Sequence, residues 1–274
     1  GTAMHCNRTI TAGGLTRLTA ACVLGVILAG CSTTTDRGSW GSHAHWPSAG
    51  EFGHAAVAAA KDPMTWAPLA GAAVLGITGL DDDVSEWAAD HQPLFGSDAG
   101  DASDTLRDLS TISYAATALL APTPDLEHKV KGVAVGISAI ALTEGITSLT
   151  KSVTDRERPN GRNNASFPSG HASAASVRAT LAAANLDYMP LPQWANVGLK
   201  IGFYGIAGGT AWARVEAEQH HASDVLVGYA LGHFIARFMH LAFLEAGHSN
   251  VAVNFIPQPD GGLVSLRYTL GGGR

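Results

Sequence analysis

The sequence predicts an all-helical protein with a small β-hairpin at its C-terminal end. Its 274 residues are 46% hydrophobic, which is too apolar for a disordered chain. Along most of the chain the apolar residues recur at helical spacing, as Val133, Ile137 and Ile140 do. Strand-like alternation of apolar and polar side chains occurs only near the C-terminus. The net charge of −6 argues against a nucleic-acid partner, which would call for a basic face.

The first 30 residues are typical of an export signal. Two arginines precede an apolar stretch at 18–29, which is too short for an ordinary membrane span. Leu-Ala-Gly then stands directly before Cys31, which resembles a bacterial lipobox. The resemblance implies that 1–30 is a lipoprotein signal peptide and that Cys31 is lipidated; a plain secretory signal is the alternative. By resemblance to the sorting of enterobacterial lipoproteins, Ser32 in place of Asp after the cysteine implies an outer-membrane protein, anchored by lipid and facing the periplasm.

The rest of the chain divides into a tether, a helical domain and a hairpin. Residues 31–52 are rich in Ser, Thr and Gly and predict the lipidated cysteine and a flexible tether. A helical domain is expected over 53–248, with apolar segments at 64–80, 109–121, 130–151, 169–186, 194–213 and 222–246. The last segment is apolar on nearly all sides, which predicts a central helix. Over 249–274, a Pro- and Gly-rich turn between two apolar runs predicts the C-terminal β-hairpin.

The apolar segments are interpreted as buried helices of a globular bundle rather than as membrane spans. A span needs about 20 apolar residues with few charges. Charged side chains such as Glu144, Arg178 and Arg237 interrupt several segments. The membrane is therefore expected as a partner through the lipid anchor.

The segment 81–108 carries nine acidic residues and a single arginine. We interpret it as a solvated loop and helix face. A calcium site is the alternative, although the segment lacks the regular spacing of a calcium-binding loop.

Two short stretches carry residues suited to binding phosphate. Lys151 and Arg158 are seven residues apart, so on one helix they would project from nearly the same face. Ser169 has the character of an N-cap before a helix that begins at Gly170, with His171 in its first turn. Helix N-termini bind phosphate through free N–H groups and a partial positive charge.

A third stretch runs from Arg214 to Asp224. His220 and Asp224 are four residues apart, so on a helix the carboxylate can accept a proton from one ring nitrogen. The other nitrogen is then available as a nucleophile. A surface ion pair is the alternative, but the apolar segment that follows favours a buried pair.

Together the three stretches resemble the signature of the type 2 phosphatidic acid phosphatase superfamily. That signature is Lys, six residues, Arg-Pro; then Pro-Ser-Gly-His; then Ser-Arg, five residues, His, three residues, Asp. It is matched at 151–159, 168–171 and 214–224, with two departures. Ala213 replaces the serine, and only eight residues separate Pro159 from Pro168. The fold implied is the helical bundle of this superfamily.

The resemblance implies a phosphatase that acts through a phosphohistidine, without a metal or another cofactor. His220 would attack phosphorus, Asp224 would orient it, and His171 would protonate the leaving oxygen and then activate water. The phosphoryl oxygens would be bound by five residues: Lys151, Arg158, Ser169, Gly170 and Arg214. The expected substrate is a phosphorylated small molecule or a lipid phosphate. A lipid or polyprenyl diphosphate phosphatase, a vanadium haloperoxidase and a non-catalytic lipoprotein are the alternatives.

Overall fold

The computed structural model describes residues 39–245 and the backbone of 251–258 and 261–268. The signal peptide and Cys31 lie outside the described residues. Eight α-helices occupy the described part: α1 (Ala49–Lys61), α2 (Pro63–Thr78), α3 (Leu80–His91), α4 (Ala99–Leu120), α5 (Leu126–Thr154), α6 (Gly170–Asn185), α7 (Gln193–Glu216) and α8 (Ala222–Phe243). Short 3₁₀ turns stand at Gly96–Asp98 and Leu186–Tyr188. The predicted all-helical class is confirmed.

Two antiparallel strands follow the helices, β1 (Val251–Gln258) and β2 (Gly261–Tyr268). Val251 is paired with Tyr268 at one end and Gln258 with Gly261 at the other. We keep the C-terminal hairpin as a prediction, and the site described below lies wholly within 39–245.

Side-chain caps fix where several helices begin. Ser48 and Glu51 form a reciprocal capping box at the start of α1, with the Ser48 amide donating to Glu51 Oε2 over 2.7 Å. Asp125 accepts from the His128 amide at the start of α5. Ser169 accepts from the Ala172 amide at the start of α6, as the sequence predicts.

The predicted tether is wrong in its C-terminal half. Trp40 is 1% exposed, and its amide donates to the Pro122 carbonyl oxygen over 2.9 Å. The helix α1 then begins at residue 49, inside the range expected to be flexible. The burial of a large indole explains the difference, because it stabilises a segment whose Ser- and Gly-rich composition would otherwise favour disorder.

Helices α6 and α8 form the centre of the bundle and are the most fully buried. Two glycines of α8 allow them to touch. A Cβ on Gly228 would lie 2.5 Å from the Ser169 carbonyl oxygen, and one on Gly232 would lie 2.3 Å from that of Ser173. This contact brings the N-termini of α6 and α8 to the same end of the bundle.

The interpretation of every apolar segment as a buried helix is wrong for α5. Both α5 and α8 are long and apolar enough to cross a membrane. Helices α2 and α3, bent by 103° at their junction, are together also long and apolar enough to form one broken span. The most apolar window of α8 is 56% buried, whereas that of α5 is only 28% buried. Ile137, Leu149 and Val153 of α5 are all more than half exposed. Such a face is unusual for a protein surrounded by water.

Candidate active site

The three sequence motifs meet at one end of the bundle. Lys151 is in the last turn of α5, and Arg158 lies in the loop that leads to α6. Gly170 and His171 open α6, and Arg214 is in the last turn of α7. The loop between α7 and α8 carries His220, and Asp224 is in the first turn of α8. Residues predicted from separate stretches therefore lie around a common centre.

His220 is buried, and a backbone carbonyl orients its ring. Its Nδ1 lies 2.7 Å from the Ser166 carbonyl oxygen. Because a carbonyl can only accept, Nδ1 carries the hydrogen and Nε2 keeps its lone pair. Burial, assisted by the charges of Lys151 and Arg214, lowers the pKa of the imidazole to about 4, against a smaller opposing effect of Asp224. His220 is therefore neutral at neutral pH.

The expected helical pair of His220 with Asp224 is not formed. Helix α8 begins only at Ala222, so His220 stands in the loop before it. Its Nδ1 is 3.8 Å from Asp224 Oδ2, which is too long for a hydrogen bond. Asp224 Oδ2 instead accepts from the Ser166 hydroxyl over 2.5 Å and from the His221 amide over 2.9 Å. Asp224 thus acts on His220 through charge and through Ser166.

An arginine and a second carboxylate that the sequence did not single out hold Asp224 in place. Arg156 Nη1 lies 2.7 Å from Asp224 Oδ1, and its Nη2 lies 2.7 Å from Asp81 Oδ2. Asp81, which opens the acidic segment, is only 5% exposed and also accepts from the Ser223 amide over 2.8 Å. Interpreting 81–108 as a solvated face is therefore wrong at Asp81.

The three predicted cations lie close together, although not on one helix. Helix α5 ends at Thr154, and Asp155 has φ of 45°, so Arg158 is carried by the loop instead of by the helix of Lys151. Arg158 and Arg214 converge on Gln219, whose Oε1 accepts from them over 2.6 and 3.2 Å. The Lys151 ammonium donates to the Ala165 carbonyl oxygen over 2.6 Å.

The nearest partners of these cations are neutral oxygens, so their charges stay available to an anion. Burial, with the nearby charge of Arg158, lowers the pKa of Arg214 to about 10, which leaves it charged. The Nε atoms of Arg158 and Arg214 are buried, and neither has a hydrogen-bond partner among the described residues. Gly170, the first residue of α6, lies beside Lys151: a Cβ built there would be 3.9 Å from the Lys151 side chain, an ordinary van der Waals distance. A tetrahedral dianion such as phosphate matches this arrangement.

His171 is held by two residues of α4 that sequence reasoning missed. Its Nε2 lies 2.8 Å from Asp104 Oδ1 and 2.8 Å from Arg107 Nη1. Burial and the charge of Arg214 lower the pKa of His171, while Asp104 partly opposes them. Asp104 is more than 60 residues from His171, so local spacing carried no signal for this contact. It is a second place where the acidic segment 81–108 contributes to the site.

The described residues do not place three or more His, Cys, Asp or Glu side chains where they could hold a metal ion. The calcium site considered for 81–108 has no support in this geometry.

Comparisons with known proteins point to one family. The family model described as PAP2 superfamily matches residues 133–247. A lipid A 1-phosphatase of Porphyromonas gingivalis is 37% identical over 93 residues, which are 34% of this chain and 20% of that protein. The match thus spans about a fifth of that relative's length.

A solved structure shares the fold. The crystal structure of a transmembrane PAP2-type phosphatidylglycerolphosphate phosphatase from Bacillus subtilis matches with a TM-score of 0.50 and 21% identity. The match covers 64% of this chain and 92% of that chain. Residues 133–247 contain all eight predicted phosphate-site residues within a helical bundle of the same kind, and this part of the chain belongs to the PAP2 superfamily.

Proposed function

We propose that this protein is a membrane-associated phosphatase that removes phosphate from lipid phosphate esters through a phosphohistidine. The observation that carries the proposal is the neutral, buried imidazole of His220 beside three cations, Lys151, Arg158 and Arg214, whose hydrogen-bond partners within residues 39–245 are neutral oxygens. Two relatives that are named as lipid phosphate phosphatases support the substrate class.

In the first step the lone pair of His220 Nε2 attacks phosphorus, and the bond from phosphorus to the leaving oxygen breaks. The leaving oxygen takes the electron pair of that bond together with a proton from His171. Lys151, Arg158 and Arg214 stabilise the charge on the phosphoryl oxygens, with the Ser169 hydroxyl and the Gly170 amide as further donors.

In the second step His171 takes a proton from water, and the water oxygen attacks phosphorus. The bond between phosphorus and His220 breaks, phosphate is released, and both histidines return to their starting protonation states. The chain's own cations supply the electrostatic stabilisation, so no metal is assigned a part.

The membrane association is supported by α5 and α8, which are long and apolar enough to span. For the N-terminal segment we propose lipidation at Cys31 and export to the periplasmic face of the outer membrane, on the sequence resemblance alone.

Phosphate release from phosphatidic acid in mixed micelles tests the activity. We expect the wild-type protein to release phosphate and His220→Ala to release none. His54→Ala, which alters an exposed histidine of α1, is the matched control and should keep full activity. Equal release by the wild-type and His220→Ala proteins would contradict the proposal.

A further inference from the structure

Two cavities of similar size flank the phosphate site, and their charges are opposite. The first, of about 480 Å³, is lined by Asp82, Glu86, Glu157 and Glu218 together with Arg158; we call it the acidic pocket. The second, of about 460 Å³, lies between α5 and α6 and is lined by Arg107, Glu144, Thr147, Lys151, His171 and Arg178; we call it the α5–α6 groove. An anionic group would be repelled from the acidic pocket and attracted to the groove.

The groove leads away from the phosphate site along the two helices. Lys151 and His171 stand at its inner end. Glu144 lies seven residues before Lys151, so the groove extends by about 10 Å along the axis of α5. Arg178 on α6 meets Glu144 at that outer end, where its Nη2 lies 2.9 Å from Glu144 Oε1.

The position of His171 indicates which part of a substrate enters the groove. In the proposed mechanism His171 protonates the leaving oxygen, so the leaving group must lie on the His171 side of phosphorus. The acidic pocket is lined by Arg158 but not by His171, which makes it the less suitable site for that group.

The ion pair of Arg178 with Glu144 is unusual for its surroundings. Glu144 lies within the most apolar part of α5, a helix able to cross a membrane. Charged residues at such positions face a polar cavity and often mark a substrate path. One carboxylate also leaves most of the five guanidinium donors of Arg178 available to a ligand.

We propose that the α5–α6 groove binds the leaving group of the substrate, and that Arg178 recognises a second acidic group on it. The inference rests on the proposed function for the identity of the leaving group. Among lipid phosphates it favours, without requiring, those whose leaving alcohol carries a further phosphate or similar anion several ångströms from the reacting phosphorus. Phosphatidic acid, whose leaving alcohol lacks such a group, remains a substrate. Glu144 holds Arg178 in place and at the same time reduces the positive charge of the groove.

Binding of two matched, non-hydrolysable probes tests the groove separately from catalysis. The probes are propane-1,3-diyl bisphosphonate and 3-hydroxypropylphosphonate, which differ in one terminal acidic group. Calorimetry on the full-length protein in detergent should show tighter binding of the bisphosphonate by about tenfold, as expected for a charge-assisted hydrogen bond.

Four variants should change the preference for the bisphosphonate in different, predictable directions. Arg178→Gln should remove the preference, and Arg178→Lys should retain most of it even if the glutamine variant folds poorly. Glu144→Gln should increase the preference, because it removes the competing negative charge. Arg237→Gln, which alters an arginine ion-paired elsewhere with Asp62 and Glu245, should leave it unchanged.

Equal affinity of the wild-type protein for the two probes would overturn the inference, as would a preference that Arg178→Gln and Glu144→Gln leave intact. Phosphate release from phosphatidic acid decides the proposed function independently. An inactive protein that still prefers the bisphosphonate would refute the phosphatase assignment and retain the anion-binding groove.

Discussion

At the scale of single residues, the site is organised around a histidine that stays neutral among positive charges. The Ser166 carbonyl fixes the tautomer of His220, so that Nε2 is the nucleophilic atom. His171, by contrast, must be protonated to act as an acid, yet burial and nearby cations lower its pKa below the ordinary 6.5. The two histidines therefore require opposite protonation states in the same pH range.

This requirement predicts an acidic pH optimum for substrates with poor leaving groups. As pH rises through about 4, His220 loses its proton and kcat/KM rises. As pH rises further, through the lowered pKa of His171, the acid form is lost and kcat/KM falls. We expect a bell-shaped profile with an alkyl phosphate and a much weaker falling limb with nitrophenyl phosphate, which leaves without a proton. Equal falling limbs for the two substrates would show that His171 is not the acid.

Arg156 is predicted to be a positioning residue that acts through Asp224. Arg156→Gln removes the charge that bridges Asp224 and Asp81, so the uncompensated Asp224 carboxylate should stabilise protonated His220. The rising limb of kcat/KM should then move to a pH above 4, with a loss of activity and of thermal stability.

Arg162→Gln, a change at an exposed arginine of the same loop, is the control. It should shift neither the rising limb of the pH profile of kcat/KM nor the melting temperature. Lower stability of Arg156→Gln with an unmoved rising limb would indicate that Arg156 has a structural role only.

At the scale of elements, the helix N-termini of α6 and α8 are brought together by close packing. Gly228 lies against the backbone of Ser169, the residue that caps α6 and is expected to touch phosphate. An added methyl group at Gly228 would force the two helix ends apart.

Gly228→Ala should therefore lower the stability of the protein by about 1–3 kcal/mol and reduce phosphatase activity. Gly198→Ala, in α7, places its methyl group in open space and should be neutral or slightly stabilising. Thermal unfolding and phosphate release on both variants make the comparison. If Gly228→Ala matched Gly198→Ala in both measurements, the close contact at Ser169 would be unimportant.

The sequence predicted the helices and the identities of the clustered residues better than their geometry. Apolar spacing and capping residues are local, so α6 and its cap at Ser169 could be recognised directly. The placement of Arg158 could not be predicted, because α5 ends at Thr154 and Asp155 adopts a left-handed conformation that the seven-residue spacing of Lys151 and Arg158 does not reveal. Contacts such as His171 with Asp104 join distant segments, and a single sequence carries no local signal for them.

At the scale of the whole molecule, the exposed apolar face of α5 changes the expected relation to the membrane. The charges Glu144 and Arg178 argued against spans when each was considered alone. In the structure they neutralise each other across α5 and α6, which removes much of that objection. Two helices of the described part that are long and apolar enough to cross a membrane support association through the helices themselves.

We therefore expect Cys31→Ala to remain in the membrane fraction after an alkaline wash. The apolar face of α5 needs a lipid environment whether or not the N-terminal segment is acylated. Fractionation followed by immunoblotting measures this, with the wild-type protein as reference. Complete release of the Cys31→Ala protein into the soluble fraction would show that the lipid anchor alone holds it.

The central claim is that His220 carries the phosphoryl group. Trapping the phosphorylated enzyme during its first turnover tests this claim most directly. The protein is mixed with excess nitrophenyl phosphate, quenched within one turnover at alkaline pH, and digested for mass spectrometry. Phosphohistidine should be found at His220, and it should accumulate further in His171→Ala, where water activation is impaired. Phosphate on another residue, or a burst of nitrophenol without any modified His220, would contradict the account.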